Sequence, residues 1–130
     1  MVDTITREEL RAAIETGDVV VLEALPPAYF GKEHLPGARN LPLDDIDGLA
    51  PLLIPAAGTP VVTYCSNTAC NNSTIAAQRL QALGYTDVRK YAEGKEDWVG
   101  AGLAVEHGPD AVAAYDHGLV SRRMVSRATP

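Results

Sequence analysis

Two apolar runs constrain this chain more than any other feature. Val19-Val20-Val21-Leu22 and Val61-Val62-Thr63-Tyr64 are short and rich in β-branched residues, which read as strands. A strand that is apolar at every position does not fit a sheet with one wet face, and belongs inside a parallel sheet covered on both sides. The segments between the runs supply that cover. Thr6-Arg7-Glu8-Glu9 makes a capping box ahead of Leu10, Ala13 and Ile14 on one helical face, and Gly17 ends the helix. Pro26-Pro27 breaks the chain before a helical turn over 28–32. His34-Leu35-Pro36-Gly37-Ala38-Arg39-Asn40-Leu41-Pro42 is a turn that leads into a short extended piece. Helical periodicity returns over 44–53 and again from Ser73 through Leu83, closed by Gly84-Tyr85. Val88-Arg89-Lys90-Tyr91 offers another strand, and Lys95 to Val99 a short helix ending near Gly100. The expectation is an α/β domain: a small parallel sheet with helices on both faces, whose ligands sit at the carboxyl ends of the strands.

Cys65 occupies such an end. It closes the second apolar run and is followed by the small polar residues Ser66, Asn67, Thr68, Ala69, Cys70, Asn71 and Asn72, with the next helix beginning at Ser73. A thiol placed there faces loop amides and a helix N-terminus, and both carry positive partial charge that favours a thiolate. A free cysteine, with a pKa near 8.5, is only a few per cent ionised at neutral pH; lowering it to about 7 makes roughly half the population nucleophilic. A cysteine at the end of a core strand is also commonly a small inert hydrophobe, so position alone leaves both readings open.

At 130 residues the chain is one domain's worth, long enough to bury a core without disulfide staples. Its two cysteines, with no apolar leader and no membrane-length apolar run, fit a reducing, cytoplasmic setting. A net charge of −6 with no basic stripe argues against a nucleic-acid surface. His34, His107 and His117 form no paired motif with the cysteines, so neither a metal nor another cofactor is expected.

The residues then carry a resemblance. His34 to Asn40, Tyr64-Cys65, Gly84-Tyr85, and Gly94-Lys95-Glu96-Asp97-Trp98 with Gly102-Leu103 occur in the order of the signature segments of the rhodanese-like sulfurtransferase domain, which the chain resembles over 4–106. The resemblance implies a domain over 1–106 in which Cys65 accepts a sulfane sulfur as a persulfide and passes it to cyanide, a thiol or a partner protein. Ser66 to Ser73 would be the loop that cradles it. Inward amides would stabilise both the thiolate and the anionic persulfide, with Asn67, Thr68 and Asn71 adding hydrogen bonds and Ser73 capping the next helix or facing the sulfur. The rival reading is a catalytically weak rhodanese-like module that binds a partner or senses redox state.

The chain departs from the family pattern in three places. Its loop carries no Arg or Lys to hold a sulfonate, which predicts poor use of thiosulfate. Its first strand ends in Glu23-Ala24-Leu25 where the family has an Asp and an Arg, which predicts an altered polar network behind the site. Its loop also contains Cys70, either a small packing residue or a partner that resolves a Cys65 persulfide or sulfenate into a disulfide. Related phosphatases and arsenate reductases are disfavoured, because Asn71 stands where their anion-clamping arginine would be. His34 is expected to fix its turn, Trp98 to anchor the core beneath the loop, and Arg39 and Arg79 to be solvated unless they turn toward the site. The tail 107–130 lies beyond the resemblance; its helix-compatible stretches 111–115 and 119–125 leave packing, homodimerisation and mobility open.

Overall fold

The computed structural model describes residues 2–109. Five strands form one parallel sheet: β1 (Asp3–Thr4), β2 (Val20–Glu23), β3 (Arg39–Asn40), β4 (Val61–Tyr64) and β5 (Val88–Tyr91), in the order β1-β5-β4-β2-β3. The helices are α1 (Arg7–Thr16), α2 (Pro27–Lys32), α3 (Ile46–Leu53), α4 (Asn72–Ala82) and α5 (Gly94–Gly100), with a 3₁₀ turn at Leu43–Asp45 before α3. The expected α/β architecture is therefore present. β4 lies at the centre, hydrogen-bonded to β2 on one side and β5 on the other, and every one of its residues is buried.

The period-two alternation of the strands divides the core. Leu22, Val61 and Val88 pack with Ile46, Ala50, Leu53, Ala76, Ala77 and Leu80 beneath α3 and α4. Val21, Val62, Tyr64 and Tyr91 point the other way, toward Leu10, Phe30, Leu35 and Trp98 of the opposite layer. Each fully buried Leu here contributes about 1.5–3 kcal/mol relative to an exposed one.

Local signals explain most element ends. Thr6 Oγ1 accepts from the Glu9 amide and Glu9 returns a bond to the Thr6 amide, so the capping box forms as read. Gly17, in the left-handed region at φ 75°, closes α1. The first long strand is displaced one residue from the apolar run, to Val20–Glu23, because pairing with Val61–Tyr64 draws Glu23 into the ladder. α4 begins at Asn72 rather than Ser73, so Ser73 is inside the helix. The expectation that it caps α4 is thus corrected: it is buried, and its carbonyl accepts from Thr63 Oγ1 at 2.9 Å. β1 has no apolar signature, since both its residues are exposed, and it exists through backbone pairing with Arg89 and Lys90 alone.

The ordered packing continues past residue 106: Gly108 N–H donates to Gly31 C=O at 2.9 Å. The helix-compatible stretches 111–115 and 119–125 lie outside the described residues. Among the described residues no helix is long and apolar enough to cross a membrane.

Candidate active site

Cys65 follows the last residue of the central strand and is 1% exposed. The loop after it is clamped from one side by α5. The Lys95 amide donates to Cys65 C=O and the Glu96 amide to Ser66 C=O, both at 2.8 Å. This approach requires Gly94. With φ 78°, a Cβ there would lie 2.7 Å from Asn67 N and 2.8 Å from Cys65 O, inside any real contact distance.

Asn67 braces the loop from within. Its Oδ1 accepts from the Ala69 amide at 3.0 Å, its carbonyl accepts from the Cys70 amide at 3.1 Å, and its Nδ2 donates to Glu96 Oε2 at 3.0 Å. Asn72 Nδ2 reaches Ala24 C=O at 2.9 Å, tying the start of α4 to the segment after β2. Ser66, Thr68, Ala69 and Asn71 complete the loop, Thr68, Ala69 and Asn71 at its exposed rim. The curled loop brings Cys70 back over Cys65: the two are joined in a disulfide with Cα atoms 6.2 Å apart, in the range that permits bonding. Of the pair, Cys65 is the buried member and Cys70 the half-buried one.

Behind the loop lies a charged network. Glu23, fully buried, places both carboxylate oxygens 3.0 Å from Lys95 Nζ, and its Oε1 accepts from the Tyr64 hydroxyl at 2.7 Å. Tyr64 in turn accepts from the Leu35 amide at 3.1 Å. Lys95 Nζ also donates to the carbonyls of Tyr29 at 3.2 Å and Glu33 at 2.7 Å. Burial pushes the Glu23 carboxyl above its ordinary range, opposed by the Tyr64 and Lys95 contacts. Tyr64 is held well above the usual phenol value by burial and by the neighbouring carboxylate.

A polar network does stand behind the loop at Glu23, and its cation, Lys95, comes from α5. A carboxylate that closes an apolar strand must be paired. Sequence position does not reveal that the partner comes from a helix more than seventy residues on.

Arg79 is engaged away from the loop. Arg79 forms a fork on Asp47 at the surface between α4 and α3. Arg39 belongs to β3, at the edge of the sheet. Lys32 and Lys95, with Tyr29, Glu33, Glu96 and Val99, line a cavity of about 410 Å³ beside Ser66. Glu33 and Glu96 balance Lys32.

His34 serves its turn. Its ring stacks on Phe30 at 3.7 Å, its Nδ1 pairs with Phe30 C=O at 2.8 Å, and its backbone makes two bonds to Glu106. Trp98 is buried as expected, but what it anchors differs. Its ring meets Tyr91 edge-on, and its indole N–H donates to Ala104 C=O at 2.8 Å, fixing the chain after α5. The loop is held by Gly94 and Lys95 of the same helix instead.

Comparison with known proteins agrees with this fold. A solved thiosulfate sulfurtransferase from Pseudomonas aeruginosa superposes with a TM-score of 0.74 at 24% identity, over 84% of this chain and 21% of that one. The human single-domain sulfurtransferase TSTD1 superposes at 0.67 and 21% identity, over 77% of this chain and 97% of that one. In sequence, the chain is 32% identical over 107 residues to the HTH-type transcriptional regulator Rv0324 of Mycobacterium tuberculosis; the match covers 82% of this chain and spans 46% of that relative's length. A model of the rhodanese-like domain matches residues 6–101, from the N-cap of α1 through α5 and including the Cys65 loop, and on that match the chain belongs to the rhodanese-like domain family.

Proposed function

We propose that this domain is a sulfurtransferase in which reduced Cys65 accepts a sulfane sulfur as a persulfide and delivers it to a thiol, cyanide or a partner protein. The observation that carries the reading is the placement of Cys65: it lies at the carboxyl end of the central strand, at the start of a loop whose first two carbonyls, those of Cys65 and Ser66, are bound by α5. Cys65 C=O and Ser66 C=O are directed into α5, which turns these two oxygen dipoles from the sulfur, while the Ala69 and Cys70 amides, expected to face it, are bound by Asn67. A thiolate or persulfide there meets less repulsion than in an unconstrained loop.

In the first step the thiolate attacks the outer sulfur of the donor. The donor's sulfur–sulfur bond breaks, its remainder leaves with the electron pair, and Cys65 retains one added sulfur. The second step is nucleophilic attack on that sulfur by the acceptor, which restores the thiolate. The disulfide between Cys65 and Cys70 is the oxidised form, and a reducing, cytoplasmic setting would return the pair to thiols.

The test is turnover with dithiothreitol present to keep the cysteines reduced. Thiosulfate, 3-mercaptopyruvate or glutathione persulfide should discharge sulfur to the dithiol or to cyanide, and Cys65→Ser should abolish the transfer. Full transfer by Cys65→Ser would contradict the reading and favour a partner-binding module, which the absence of Arg and Lys from the loop also favours.

A further inference from the structure

The Cys65–Cys70 bond identifies a built-in acceptor at the site. Resting on the sulfur-transfer reading above, we infer that Cys70 is a catalytic residue that discharges the Cys65 persulfide. The discharge releases the transferred sulfur as hydrosulfide and leaves the disulfide, so that a dithiol reductant is the co-substrate that completes each cycle.

The geometry carries this. The turn from Asn67 to Cys70, closed by Cys70 N–H to Asn67 C=O at 3.1 Å, folds Cys70 over Cys65. The Ala69 amide on Asn67 Oδ1 and the Asn67 Nδ2 bond to Glu96 hold that turn in place. In the disulfide Cys65 is 1% exposed with Cys70 over it, so the inner sulfur of a Cys65 persulfide has Cys70 as its neighbour at bonding range, the Cα atoms 6.2 Å apart. A nucleophile already held in position reacts in preference to one that must diffuse in.

The chemistry balances. The Cys70 thiol, losing its proton as it attacks, bonds to Cys65 Sγ; the bond from Sγ to the added sulfur breaks; and the added sulfur departs with that electron pair and the proton as HS⁻. The transferred sulfur gains two electrons and the cysteine pair loses two. A dithiol then attacks Cys70 Sγ, the more accessible sulfur of the disulfide, and expels Cys65 as the thiolate that the next donor requires. The reductant's second thiol then attacks its own sulfur in the mixed disulfide, the bond to Cys70 breaks, Cys70 leaves with the electron pair and regains its proton, and the reductant departs oxidised. The net reaction converts a sulfane sulfur donor and a dithiol into hydrosulfide, the donor's leaving group and an oxidised dithiol.

A single-turnover experiment tests it. Reduced wild-type protein and Cys70→Ser, both freed of reductant, are treated with one equivalent of thiosulfate or glutathione persulfide. Released sulfide is trapped with bimane, and the protein is mapped by mass spectrometry. The wild type should release a stoichiometric amount of sulfide and end with Cys65 and Cys70 bonded, whereas Cys70→Ser should hold the sulfur on Cys65 and give it up only when cyanide or a thiol is added. A wild type that keeps its persulfide beside a free Cys70, or a Cys70→Ser protein that releases sulfide as fast as wild type, would overturn the inference while leaving sulfur transfer intact. Failure of Cys70→Ser to load any sulfur would take down the transfer reading and this inference with it.

Discussion

Lys95 joins two structures that would otherwise be independent. Its amide fixes the carbonyl of Cys65, and its ammonium neutralises Glu23 while satisfying two carbonyls of the α2 region. Replacing it with Met leaves a buried carboxylate without a counter-charge, which should destabilise the domain by about 3–5 kcal/mol in urea unfolding. The pH dependence has a definite sign. Burial already raises the Glu23 carboxyl, and removing the ammonium removes a contact that lowers it. A group whose folded pKa exceeds its unfolded one favours folding below the unfolded value and loses that contribution as pH rises through the folded one. Lys95→Met should therefore lose stability from mildly acidic to neutral pH more steeply than wild type; a parallel profile would show that Glu23 is neutral in both. Of this cluster, Glu23 was legible as an oddity at the end of a strand, but Tyr64 read only as core and Lys95 only as part of a helix. Hydrogen bonds that join β2, β4 and α5 depend on the sheet order, which no local pattern encodes.

At the scale of elements, α5 is a seven-residue helix that works as a clamp. Gly94→Ala should drive a Cβ into the loop backbone and force a left-handed alanine. The expected cost is about 1–3 kcal/mol in stability, with slower sulfur loading of Cys65 as the loop gives way. Unchanged loading would mean that the loop's grip on α5 is not needed. The same helix is tied to α1 through Asp97, which accepts from the Tyr91 hydroxyl at 2.5 Å and from Arg7 at 3.0 and 3.1 Å. These contacts, the tyrosine's first, hold the Asp97 carboxyl below its ordinary value. Its contribution is present above the unfolded pKa and is lost as pH falls through the folded one, so Asp97→Asn should flatten the acid limb of the stability profile. Thermal unfolding across the acid range measures it. The elements themselves were largely readable: the capping box, the apolar runs of β2 and β4, and Gly17 each carry a local cause. β1 was not, because two exposed residues paired to a neighbouring strand leave no trace in hydrophobic periodicity. The α5 clamp was hidden for a related reason, since Gly94 stood out only as the first residue of a signature segment, and the loop it meets lies far from it in sequence.

For the molecule as a whole, the acidic balance and the distribution of charge around the loop bear on the choice of donor. Among the described residues that line the cavity beside Ser66, Lys32 is set against Glu33 and Glu96, and Lys95 is committed to Glu23, so this lining offers a sulfonate no surplus of positive charge. The domain should use a low-charge persulfide with a higher kcat/KM than thiosulfate. Asn71→Arg should narrow the gap through a charge-assisted bond of about 1.5–3 kcal/mol. Efficient wild-type use of thiosulfate at low concentration would contradict this account of the site's electrostatics. The central claim, that Cys65 is the sulfur acceptor, is tested most directly by treating reduced Cys70→Ser protein with glutathione persulfide and locating the added sulfur by peptide mass spectrometry. One extra sulfur on the peptide carrying Cys65, removed by cyanide as thiocyanate, is the predicted result; a Cys65 left unmodified by this donor and by thiosulfate alike would contradict it.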